Sequence, residues 1–172
     1  MIANTATAAG TYTVDTARSE VRFRATHSFG LGPVTGTLAV RDGTITVAAD
    51  PADSVVAARV DASSFTTDKP RRDADVRSKR FLYAQAYPDM IFASERLVRD
   101  GDRWLLHGRL TVRGTAAPAV LELYSISKDA DGLRVRARTR VDRHAHRVGP
   151  RGVVGRYLDI ELDIVGTAVR VR

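Results

Sequence analysis

Residues 133–142 read Leu-Arg-Val-Arg-Ala-Arg-Thr-Arg-Val-Asp. Leu133, Val135, Ala137, Thr139 and Val141 share one face of an extended chain. Arg134, Arg136, Arg138, Arg140 and Asp142 share the other. Strict alternation of this kind marks a strand with one buried and one solvated face. Working outward, the same period recurs. It sets Val21, Phe23 and Ala25 against Arg22 and Arg24, and Leu38 and Val40 against Thr37 and Arg41. Ile45 and Val47 follow, with Asp42-Gly43 reading as a tight hairpin turn before them. Val56, Ala58 and Val60 repeat the pattern. Trp104 to Arg113 forms a further strand that stops at Gly114, and Val120 to Leu123 follows Pro118. The last run sets Leu158, Ile160, Leu162 and Ile164 against Asp159, Glu161 and Asp163. About eight strands joined mostly by short turns predict an all-β antiparallel barrel or sandwich.

Residues 68–86 break the period and predict one or two short helices across one end, anchored inward by Val76 and Phe81. Asp73 and Asp75 stand where such a helix could begin and could cap its free N–H groups. Arg72 and Arg77 have acidic neighbours to pair with. An eight-stranded closed barrel is wide enough to hold one small ligand, and the modest inward face Leu-Val-Ala-Thr-Val favours a cavity. His27 to Pro33 is glycine-rich, but it lacks the G-x-G-x-x-G spacing of a phosphate loop. It is expected to be a mobile loop at the barrel mouth, with Phe29 and Leu31 as apolar flaps.

The chain has 172 residues and no cysteine. That length suits one domain, expected over 11–172 behind a small-residue tail over 1–10. Zero Cys excludes a disulfide framework, a thiolate metal site and a thiol nucleophile. No G-x-S-x-G elbow and no H-E-x-x-H pair occurs. His144 and His146, two apart, would share a face on a strand, but a metal site needs a further ligand. No metal, catalytic residue or cofactor is therefore predicted. No secretory signal is recognisable near the N-terminus, so a cytoplasmic location is expected.

Several ordered motifs carry a resemblance. Tyr12-Thr13-Val14-Asp15 and Ser19-Glu20-Val21-Arg22-Phe23 stand near the start. Ser64-Phe65-Thr66-Thr67-Asp68, Arg72-Asp73-Ala74-Asp75-Val76-Arg77-Ser78 and Phe81 occupy the middle. Tyr87-Pro88-Asp89-Met90-Ile91-Phe92-Ala93-Ser94 follows, then His107-Gly108-Arg109-Leu110-Thr111-Val112-Arg113-Gly114 and Pro118. From about Tyr12 to Ala168 this set resembles the YceI-like family of polyisoprenoid-binding proteins. The resemblance implies a lipocalin-like barrel with an apolar tunnel for an isoprenoid or a similar long-chain amphiphile. Many family members are periplasmic. The stretch Asp142 to Gly149 departs from the family pattern, which has an acidic residue and an aromatic between the Asp-Arg pair and the glycine; here His144, His146 and Arg147 stand there.

The tunnel lining is expected from alternate residues: Phe23, Ala25, Leu38, Val40, Phe92, Leu110, Leu121, Leu123, Val135 and Ala137, with Phe29, Val76 and Phe81 near the mouth. The expected function is non-catalytic carriage or sequestration of a quinone or polyprenyl lipid. A homodimer and a transient membrane contact are both compatible with it. Two rivals are a module that binds an anionic partner through its Arg-rich outside, and a lipid-acting enzyme using His144 or His146 at the mouth. The formal charge of +7 favours the first rival. Against it, Asp159, Glu161 and Asp163 share the period of the arginine stripe. A register that faces 138 with 159, 136 with 161 and 134 with 163 would build an outward ladder of ion pairs. No nucleic-acid partner is therefore expected.

Overall fold

The computed structural model describes residues 8–25, 32–152 and 155–170. Its strands are β1 (Gly10–Val14), β2 (Glu20–Ala25), β3 (Val34–Val47), β4 (Val55–Thr66), β5 (Asp89–Asp100), β6 (Arg103–Val112), β7 (Thr115–Lys128), β8 (Leu133–Asp142) and β9 (Tyr157–Ala168). One helix, α1 (Pro70–Arg77), joins β4 to β5. From β3 to β9 each strand pairs antiparallel with the next in sequence, except that β3 and β9 are bridged by β1 and β2. Both β1 and β2 pair with β3 on one side and β9 on the other, so they are two halves of one stave. Nine strands thus close an eight-staved barrel. At the break between the halves, Asp15 N–H donates to the Val165 carbonyl at 2.7 Å and Val165 N–H donates to Ser19 Oγ at 3.0 Å.

The structure corrects the expected hairpin at Asp42-Gly43. Both residues lie inside β3, paired with Arg59 and Ala58 of β4. Inward residues change phase between Val40 and Ile45, and a register shift between Val40 and Asp42 absorbs the extra residue. A bulge does this as well as a turn does. A side chain on Gly43 would crowd Val14 and Ala58. The real reversal comes later, in the 48–54 connection with its short 3-10 turn at Pro51–Asp53.

The arginine ladder exists in a different register. Arg136 faces Asp163, Arg138 faces Glu161 and Arg140 faces Asp159, two residues from the expected alignment. A two-residue slip keeps every side chain on its face, so the charges still meet. Arg134 reaches Asp163 diagonally at 2.6 Å and Arg140 pairs with Asp159 at 2.8 Å. Arg138 turns instead to Glu122 on β7 at 2.8 Å.

The staves have two different ends. At the helical end stand α1, the turn at 113–114 and the described residues of the 143–156 connection. Phe23, Phe65, Phe81, Leu82, Val112 and Val148 form the core there. The Phe23 and Phe65 rings stack at 4.6 Å. The far end is built from Ala8, Tyr12, Leu97, Ile126 and Leu133. Within the expected 1–10 tail, Ala8 is buried and accepts a 2.7 Å hydrogen bond from Tyr12 Oη, and Gly10 opens β1.

Candidate ligand-binding site

The inward faces of the staves enclose a cavity of about 540 Å³. Along β8 its wall runs from Leu133 to Val141. At the strand rise and the tilt of a small barrel, that run spans about 20 Å along the axis. Near the helical end the lining includes Phe23, Ala25, Leu38, Val76, Phe81 and Leu110. Deeper in lie Val40, Phe92, Leu121, Leu123, Val135 and Ala137. Phe29, together with His27 and Leu31, lies outside the described residues. The alternation that selects these positions extends further. Val21, Ile45, Leu158, Ile160, Leu162 and Ile164 also face the cavity.

Two glycines shape the wall. A side chain on Gly36 would overlap the Phe23 ring, and one on Gly108 would overlap the Phe92 ring. Each aromatic therefore lies across a neighbouring strand where no Cβ stands in its way. Pro118 sits on the outward face of β7, paired with Arg109 of β6 and ahead of the ladder to β8, which starts at Glu122. A residue without an N–H is tolerated where one side of a strand is unpaired.

The charged groups on the lining, with His146, gather at the helical end, while Ser54 lines the far end. Arg72, Asp75, Arg80, Arg143 and His146 all contribute. Arg80 and Asp75 are also exposed, so the cavity reaches solvent there. At the far end Ala8, Leu106, Ile126 and Leu133 are buried. Ser54 is buried too, and its Oγ accepts from Ala48 N–H at 3.1 Å.

The helical end is held by a buried polar network. The expected capping role for Asp73 and Asp75 is corrected: α1 starts earlier, with Lys69 at its N-cap and Pro70 at its first position. Pro suits that position because its missing N–H would be unpaired in any case. Asp73 therefore falls within the helix and is buried. It accepts from Thr67 N–H at 2.9 Å and from Thr67 Oγ1 at 2.6 Å. Burial pushes this carboxyl up, but the Thr67 hydrogen bonds and the nearby Arg77 and Arg72 together outweigh it and hold the group below the usual carboxylate range. Arg72 bonds Thr67 Oγ1 and Asp68, while its buried Nε has no partner among the described residues. Arg77 donates to the Phe65 carbonyl.

Residues 143–146 form a 3-10 turn, so the condition under which the two histidines would share a face, a strand, is not met. The Asp142 carboxylate caps that turn by accepting from His144 N–H at 2.9 Å. His144 and His146 consequently share no face. His146 is buried and its Nδ1 donates to the Thr115 carbonyl at 2.8 Å, since a carbonyl can only accept. Burial, followed by the Arg143, Arg151 and Arg156 charges, pushes the His144 imidazole down toward its neutral form. Arg143 was not foreseen as part of the site. It is buried, and it donates to the carbonyls of Gly155, Val148 and Pro150, which ties residues 143–150 to Gly155 beside the mouth. Among the described residues no cluster of three His, Asp or Glu is placed to hold a metal ion.

The arrangement can receive a long apolar chain and meet a polar group at one end. It also has known counterparts. A family model described as a YceI-like domain matches residues 12–167. Protein YceI of Escherichia coli O157:H7 is 34% identical over 112 residues, 64% of this chain and 58% of that protein. A UPF0312 protein of Photorhabdus laumondii is 30% identical over 115 residues, 65% of this chain and 59% of that protein. The matches therefore span less than two thirds of these relatives' length. Among solved structures, Burkholderia cenocepacia BcnA superposes with a TM-score of 0.77 at 20% identity, covering 90% of this chain and 99% of that one. A polyisoprenoid binding domain from Saccharophagus degradans, implicated in plant cell wall breakdown, gives 0.67 at 14% identity, covering 92% and 98%. At such identities the likeness is one of fold.

Proposed function

The chain belongs to the YceI-like domain family, and from that premise we propose that its tunnel holds a long-chain isoprenoid lipid of quinone or polyprenyl type, or a similar amphiphile. The ligand is carried or sequestered without covalent change. Its chain lies along the apolar wall and its head group stays at the helical end. The observation that carries this reading is the one-sided charge of the tunnel lining. About 20 Å of wall offers side chains such as Val135 and Leu121. The charged lining residues Arg72, Asp75, Arg80 and Arg143 all stand at one end.

Burial supplies the affinity. Each CH₂ moved from water contributes about 0.8 kcal/mol. A chain of several isoprene units therefore binds tightly even after the cost of ordering it. No polar contact along the wall is needed, and a polar group placed there would lose its hydration without a partner.

Native mass spectrometry of the protein after exposure to an isoprenoid quinone and to a polyprenyl phosphate tests the proposal. A one-to-one adduct with either lipid is expected. Leu110→Trp and Val135→Trp put a large ring into the tunnel near the mouth and deep toward the far end, and each should abolish the adduct. Protein that stays empty with both lipids would overturn the reading. So would unchanged uptake in both variants, because the ligand would then sit elsewhere.

A further inference from the structure

The +7 charge is not spread over the molecule. At the helical end, connection 67–88 holds six basic and three acidic side chains, the turn at 113–114 adds Arg113, and 143–156 holds four arginines and no acid. Residues 26–33, which follow β2 in sequence, hold no charged residue. This end therefore carries an excess of eight positive charges. The rest of the chain has 16 basic and 17 acidic residues and is close to neutral. The three turns at the far end, 48–54, 101–102 and 129–132, hold Asp50, Asp53, Asp102, Asp129 and Asp131 and no basic residue. The barrel is thus polarised along its own tunnel axis.

Five cations of the helical end, Lys69, Arg71, Lys79, Arg147 and Arg151, are exposed and make no ion pair among the described residues. On the wall, by contrast, Arg134, Arg136, Arg138 and Arg140 are each paired with an acid. Tyr87 and Tyr157 add exposed rings at the charged end. The apolar tunnel opens at this same end, beside Arg72 and Arg80.

We infer that the helical end docks, mouth first, on the surface of a lipid bilayer that carries anionic head groups. Lys and Arg near such a surface are drawn to it through the surface potential, and Tyr suits the depth of the head groups. The polarised charge turns the mouth toward the membrane before contact, because the acidic far end is repelled. Nucleic acid is the other polyanion that the charge could meet. The tunnel opening at the charged end favours a bilayer, since only a bilayer offers chains that can enter it. This choice of a bilayer rests on the lipid-holding reading, but vesicle binding is measured with no ligand added to the tunnel, so the two can fail separately.

Co-sedimentation with vesicles tests the inference on the full chain. The protein should bind vesicles of equimolar phosphatidylcholine and phosphatidylglycerol and ignore pure phosphatidylcholine. Binding should weaken steeply with salt, as screening shortens the reach of exposed charges. The triple variant Arg71→Glu, Lys79→Glu, Arg151→Glu should lose roughly 100-fold in vesicle affinity. The matched control Arg96→Glu, Arg99→Glu, Arg109→Glu has the same net charge but is changed on exposed positions of β5 and β6. It should lose less than about tenfold. Thermal melts check the folding of each. If the Glu triple melts early, Arg71→Gln with Lys79→Gln and Arg151→Gln should still lose about tenfold. No binding of the native protein to the anionic vesicles would overturn the inference. Equal losses in the two triples would do so too, as would binding to a mixed-sequence oligonucleotide without binding to vesicles.

Discussion

The far end and the helical end of this barrel are closed by opposite means. At the far end the chain turns back quickly and apolar side chains meet. Tyr12 is fully buried, its hydroxyl held by the Ala8 carbonyl, and Leu133, Ile126 and Leu97 fill the space around it. The turns outside are short and acidic; in one of them Asp129 Oδ1 accepts from the N–H groups of Asp131 and Gly132. At the helical end two connections, 67–88 and 143–156, are long and basic. They are fastened by buried polar groups, Asp73 under α1 and Arg143 bonded to the Val148 carbonyl. An apolar closure seals. A polar closure leaves donors and water beside the tunnel opening, where the head of an amphiphile can rest.

Changes at each end should therefore differ in size and in pH response. Tyr12→Ala removes a whole buried ring from the seal and should cost about 3–5 kcal/mol in urea denaturation. A loss below about 1 kcal/mol would mean that Tyr12 does not close the far end. Asp73→Asn leaves the shape at the helical end but weakens the bonds from Thr67, and should cost about 1–3 kcal/mol. The Asp73 carboxyl is depressed in the folded protein, so its contribution is present above the unfolded carboxyl value of about 3.9. It is lost as pH falls below that value and through the lower folded one. The Asn variant should lose that part of the acid dependence, whereas Tyr12→Ala should keep it. The wall between the ends provides the smallest effect. A double-mutant cycle on Arg140 and Asp159 should give a weak coupling that high salt removes, because both side chains are exposed. A salt-resistant coupling would place that pair in a drier setting than its exposure implies.

Much of this architecture can be read from residue order alone. The alternation in 133–142 identifies which side chains line the tunnel, because parity on a strand determines the face whatever the register. For the same reason it does not distinguish the expected ladder alignment from the observed one two residues away: the first sets Arg134, Arg136 and Arg138 opposite acids, the second Arg136, Arg138 and Arg140. At Asp42-Gly43 the phase change was legible, but a turn and a bulge leave the same trace, and only the pairing of Asp42 with Arg59 separates them. Arg143 escaped notice because a buried arginine bonded to carbonyls has no partner that sequence spacing reveals. The signal that could have placed its loop is Asp142, which caps a turn two residues on. The charge asymmetry needs one more step than composition. Each connection must first be assigned to an end, which the up-and-down strand order does.

Paramagnetic NMR tests most directly whether one long chain lies along the tunnel with its head at the helical end. The protein is mixed with a long-chain amphiphile bearing a nitroxide at the chain terminus, and separately with one bearing it beside the head group. With the terminal label, the methyl signals of Leu133 and Ile126 should broaden and those of Val76 should not. With the label near the head, Val76 and Leu158 should broaden while Leu133 stays sharp. Broadening confined to outward residues such as Val120, or the same pattern from both labels, would contradict a lipid threaded through the barrel.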